Sequence, residues 1–221
     1  MLKITSKVIS YLMHPMFLIG YVLFFLMKTN KYLFGFPNDK AAGLVLITIV
    51  AIAIMFPLIA VLMMRALGLI KSLEMEDKYD RILPLIITGV FYMWLYINIR
   101  NNDNIPGIFT TFVLGSTIAL FLALIINNFS KISLHAIGAG GVATIMLMIV
   151  FQWTYGFTDL MIPFTSVGFR VSDRMAMIIA IILAGAVGTA RLYLKAHSKD
   201  EIFGGYLVGI LSQMIAYLII F

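Results

Sequence analysis

Apolar runs of about twenty residues recur from one end of this chain to the other, and that is the length an α-helix needs to cross the hydrocarbon layer of a bilayer. Seven runs can be placed, at about 8–27, 41–64, 84–99, 107–127, 135–155, 174–194 and 203–220. In lipid the backbone must satisfy its own hydrogen bonds, so runs of this kind are expected as helices. The connections are short, so residues 1–221 are expected to form a single transmembrane domain, an all-α polytopic bundle. Composition agrees: the chain is 62% hydrophobic and 12% charged, with a mean hydropathy of +1.03. The first run is long, rich in aromatics and followed by no small-residue cleavage site, so it is expected to be a membrane helix rather than a cleaved signal. The stretch 157–171 reads as a polar, proline-containing loop, and Pro57 predicts a kink in the second helix.

With no cysteine, disulfide and thiolate chemistry are excluded. The net charge of +6 suits contact with anionic lipid headgroups and implies no nucleic-acid partner. Alternate connections of a helical membrane protein share a side. One face then holds Lys3, Lys7, Arg65, Lys71, Lys78, Arg81, Lys131, Arg191, Lys195 and Lys199, and the other holds Lys28, Lys31, Lys40, Arg100, Arg170 and Arg174. Ten cations against six favour a cytoplasmic position for the first face, and a bacterial inner membrane as the expected location.

Three polar stretches fall on that face: Lys71 to Pro84, Ser130 to Gly141, and "ARLYLKAHSKDEIFGG" from Ala190 to Gly205. The last places Arg191, Lys195, His197, Lys199, Asp200 and Glu201 between two apolar runs. Two of the three histidines, His135 and His197, sit at helix ends there. An ionisable group costs roughly 2.5–3.5 kcal/mol at the centre of a membrane helix, so a cluster at the membrane has a functional reading by default. Arg191 and His197 are six residues apart and would point to different faces of an unbroken helix, so the helix is expected to end between them. His197 and Glu201 are four apart and can meet across one turn at the start of the last helix, where the carboxylate would fix the imidazole. Gly204 and Gly205 are expected to admit a close neighbour.

These stretches together resemble the type 2 phosphatidic acid phosphatase superfamily, marked by the motifs KxxxxxxRP, PSGH and SRxxxxxHxxxD. "ARLYLKAHSKDE" is similar to the third, with Arg191, His197 and Glu201 matching and Ala190 in place of the serine. "ISLHA" resembles the second, keeping Ser133 and His135 but with Ile132 and Leu134 for the proline and glycine. "EMEDKYDRILP" is the counterpart of the first through Arg81, with Glu74 where the motif has its lysine. The resemblance covers about 71–221.

It implies that His197 attacks phosphorus to form a phosphohistidine, held by Glu201 with Asp200 beside it, while His135 protonates the leaving oxygen and later activates water. It further implies that Arg191 and Arg81 clamp the phosphoryl oxygens, with Lys78 standing in for the motif lysine and Ser133 adding an anion contact. His14, ahead of Pro15 in the first helix, is a candidate supporting residue. No metal or cofactor is implied. The expected function is hydrolysis of a phosphomonoester or pyrophosphate of a lipid or isoprenoid within the membrane. The alternative is a non-catalytic protein that binds or translocates phospholipid through the same basic cavity.

Overall fold

The structure, a computed structural model, describes residues 2–29, 31–75, 77–152, 157–161 and 168–221. It is an all-α bundle of helices α1 (Leu2–Leu12), α2 (Pro15–Thr29), α3 (Asp39–Val50), α4 (Phe56–Ala66), α5 (Ile82–Ile99), α6 (Gly107–Asn127), α7 (Leu134–Gln152), α8 (Asp173–Tyr193) and α9 (Lys199–Ile220). Six helices among the described residues are long and apolar enough to cross a membrane, or seven if α1 and α2 count as one bent span. The chain is therefore read as an integral membrane protein.

Three elements differ from expectation. The first run is two helices meeting at 64° rather than one. Pro15 opens α2, where its missing N–H leaves nothing unsatisfied, and its ring disfavours helical geometry at His14, so α1 stops short. The second run spans Asp39–Ala66 with a π turn at Ala51–Met55. Pro57 cannot donate to the carbonyl four residues back, and the ladder shifts so that the Phe56 N–H reaches Ala51 O. The expected loop at 157–171 contains an antiparallel hairpin, β1 (Phe157–Met161) paired with β2 (Gly168–Ser172). Residues 153–155, expected to end the fifth run, lie outside the described residues.

Helix α9 packs most extensively on α7 and α6. In lipid, close approach of backbones replaces the hydrophobic drive as a source of association, and small residues permit it. Gly209 lies against Ile137 O and the Gly141 backbone, and Gly205 lies against Ser133 O and Ala136. Of the two glycines expected to serve this purpose, only Gly205 does; Gly204 faces open space. On the outside, Ile178, Ile182, Leu207, Leu211 and Leu218 are exposed, as lipid-facing positions should be.

The neighbouring glycines provide a test of this packing. A Cβ at Gly205 would come within 2.8 Å of Ser133 O and 2.9 Å of Ala136 Cβ, whereas one at Gly204 would meet nothing within 4 Å. Gly205→Ala should destabilise by about 1–3 kcal/mol through overpacking. Gly204→Ala should be neutral or gain up to ~1 kcal/mol of helix propensity. Thermal unfolding of both variants in one detergent checks the contrast.

Candidate functional site

The connection between α8 and α9 is specified residue by residue. Lys195 adopts a left-handed conformation (φ 53), and the N–H groups of Lys195 and Ala196 bond back to Leu192 O and Arg191 O. This reciprocal pair is a Schellman ending, which places Arg191 in the last turn of α8 and halts the helix before His197. Ser198 then caps α9: its Oγ accepts from Glu201 N, and Glu201 Oε2 accepts from Ser198 N at 3.1 Å. His197 is thus held between a helix stop and a capping box.

The Glu201 carboxylate has a second task. Its Oε2 lies 2.9 Å from His197 Nδ1, and Lys131 O lies 3.0 Å from the same nitrogen. Both partners are acceptors, so Nδ1 must carry the hydrogen and the neutral ring keeps its lone pair on Nε2. His197 is 7% exposed, and burial pushes its imidazole down to about 4; the nearby Arg81 and Arg191 charges act in the same direction, against the Glu201 hydrogen bond.

The three polar stretches converge, although long sequence distances separate them. Arg81 is 6% exposed; its Nε donates to Met75 O and its Nη1 to Ile132 O, both at 3.0 Å. Ser133 N donates to Glu201 O at 3.2 Å. The bonds of Arg81 to Ile132 O and of Ser133 N to Glu201 O each join one stretch to the backbone of another, so the arrangement does not depend on exposed ion pairs.

These contacts rim a cavity of about 430 Å³. Its charged and imidazole groups are Glu74, Arg81, Arg191, His14, His135 and His197, and Thr88, Ser116 and Gln213 add neutral polar groups. The rest is largely apolar and runs between the helices past Leu62, Leu85, Phe112 and Leu120 to Tyr92 and Gln213. From Pro84 to Tyr92 the lining extends along α5 by roughly 12 Å at ~1.5 Å per residue, so a basic end opens into a deep, largely apolar chamber. Arg191 Nε is buried there without a hydrogen-bond partner. A guanidinium nitrogen out of water and unpaired is costly, and an anion in this cavity would satisfy it.

His135 stands in the first turn of α7, where its Nε2 bonds Ser10 O at 3.1 Å. A carbonyl can only accept, so that nitrogen is the donor and the neutral ring keeps its lone pair on Nδ1. His14 also lines the cavity, and its ring meets that of His135 edge to face with centroids 5.3 Å apart.

Four site residues singled out in the sequence do not line the cavity, and of these Glu201 acts through its bond to His197. Lys78 points to the end of α6, where its Nζ donates to Asn128 O at 2.8 Å. Ser133 is buried, and its Oγ accepts from Ala136 N, capping the start of α7. Asp200 is exposed in the first turn of α9. Conversely, Gln213 was missed: it is 1% exposed, its Oε1 has no hydrogen-bond partner, and it lines the inner part of the cavity. The available signal was a carboxamide inside an otherwise apolar helix.

The fold and site together define a polytopic helical membrane protein with a basic-headed, apolar-walled cavity. No family model, curated protein or solved structure matches the chain.

Histidine-selective ¹⁵N spectra in micelles test the electrostatics. His197 should hold its neutral Nδ1–H tautomer on acidification and gain a proton only near pH 4. An unfolded histidine titrates near 6.5. Between 6.5 and about 4 the unfolded chain therefore binds the extra proton, and this residue subtracts stability as pH falls through that window while adding nothing above it. The pH dependence of the melting temperature in that window should flatten in His197→Asn. A midpoint near 6.5 for His197 would contradict the enclosed geometry.

Proposed function

We propose that the protein is a membrane phosphatase that removes phosphate from a phosphorylated lipid or isoprenoid, carried as a monoester or pyrophosphate, through a phosphohistidine on His197. The observation that carries this reading is the pairing, in one cavity, of a bare His197 Nε2 with the unpartnered buried Nε of Arg191. The first is a nucleophile fixed in its reactive tautomer, and the second is a donor awaiting an anion.

The residues divide the chemistry among them. Arg191 and Arg81 supply fixed positive charge to the equatorial oxygens, where phosphoryl transfer spreads negative charge in the transition state. Nε2 of His197 bonds to phosphorus as the bond to the lipid oxygen breaks. Glu201 and Lys131 O stabilise the Nδ1–H as positive charge develops on the ring. Nδ1 of His135 is the nitrogen free to handle a proton, so it protonates the leaving oxygen. A monoester monoanion can bring that proton, its second pKa being ~6. The apolar chamber suits a hydrocarbon tail, and the positive-inside count favours the cytoplasmic side of a bacterial inner membrane.

A screen of purified protein for phosphate release from phosphatidic acid, phosphatidylglycerol phosphate and undecaprenyl pyrophosphate tests the activity. His197→Ala should abolish release from every substrate. Arg191→Lys should lose on the order of 10²-fold in kcat/KM, because an ammonium cannot reproduce the planar fork. His135→Ala should lose ~10²–10⁴-fold with lipid alkoxide leaving groups but far less with p-nitrophenyl phosphate, whose leaving group barely needs a proton. Phospholipid binding without release, unchanged in His197→Ala, would establish a non-catalytic lipid-binding protein instead.

A further inference from the structure

The break between α1 and α2 brings a third histidine into the cavity, and its hydrogen bonding complements that of His135. His14 Nδ1 accepts from Met16 N at 3.3 Å, so in the neutral ring the hydrogen sits on Nε2. His135 has the opposite arrangement: Nε2 donates to Ser10 O, and Nδ1 is bare. Two rings in edge-to-face contact, both lining the cavity, thus present one free donor and one free acceptor. Both tautomers are set by backbone groups of the same bent segment, Ser10 O at the end of α1 and Met16 N at the start of α2.

We infer that His14 and His135 together hold the water that hydrolyses the phosphoenzyme, an inference that rests on the phosphohistidine reading above. A water molecule in the cavity that bridges the two free nitrogens donates one O–H to His135 Nδ1 and accepts the His14 Nε2–H on one lone pair. Its second lone pair is then directed at phosphorus. In the reaction that pair forms the new P–O bond, the P–Nε2 bond to His197 breaks with its electrons returning to the imidazole, and the water's proton passes to His135 Nδ1. His14 transfers nothing and only orients, so it serves as a positioning residue for the second step. An unbroken first helix would carry neither the Met16 contact nor a free carbonyl at Ser10, since both backbone groups would be spent within the helix.

Rapid-quench kinetics with p-nitrophenyl phosphate on the full-length protein in nanodiscs separate the two steps. In His14→Phe, which keeps an aromatic edge against His135 but lacks the donor, phosphoenzyme should form within about threefold of the wild-type rate. Its decay should slow by about tenfold or more, so that phosphohistidine accumulates. His14→Gln, which restores an N–H donor, should recover most of the decay rate, and His14→Leu should behave as His14→Phe. Unchanged decay in His14→Phe and His14→Leu would overturn the inference, as would equal slowing of formation and decay or a His14→Gln protein as slow as His14→Phe. Each of those results leaves the phosphatase reading intact. The absence of any phosphohistidine in the wild-type protein overturns both.

Discussion

One carboxylate oxygen ties the start of the last helix to the His197 ring. Glu201 Oε2 accepts the Ser198 N–H that caps α9 and the His197 Nδ1–H that sets the tautomer. Folding of the connection and fixing of the His197 tautomer are therefore the same event. Lys131 O and Ser133 N extend the contact to the segment entering α7, so the second and third polar stretches share this junction. Removing the carboxylate would loosen the cap, leave the ring held by Lys131 O alone and leave Ser198 N–H without its partner.

The bundle supports that junction through backbone proximity more than through side-chain bulk. Gly205 and Gly209 on α9 let the carbonyls of Ser133 and Ile137 come against the helix, which fixes the depth at which His197 stands relative to His135. Such contacts are short-ranged and leave little freedom for sliding. They suit a site in which two histidines and two arginines come from the turn before α5, from α7, from α8 and from the loop that follows it.

Much of this was legible in the sequence because lipid imposes a simple code. Apolar length located the spans, and the six-residue separation of Arg191 and His197 required the helix end that the Schellman motif supplies. The same-side placement of the three polar stretches followed from counting crossings. What the sequence concealed was direction. Lys78 and Ser133 have the residue types of phosphate ligands, but a neighbouring helix end and a cap claim them. Gln213 looked like an isolated polar residue because its relation to the cavity depends on the packing of α6, α7 and α9 together. The bend at His14 was a choice between a kinked span and a broken one, which Pro15 alone does not decide.

The floor of the chamber adds a consequence for what can occupy it. Gln213 Oε1 is buried and unpartnered at the inner end, roughly 18 Å along α9 from Glu201 at ~1.5 Å per residue. A hydrocarbon tail that reached it would seal a carbonyl oxygen into alkane, at a cost of about 1–3 kcal/mol, or roughly five- to 150-fold in affinity. A shorter tail that left space for water would avoid the penalty. Under the proposed lipid-phosphatase reading, the carboxamide would act as a ruler, setting a preferred length for the buried chain from the far end of the cavity while the arginines held the head.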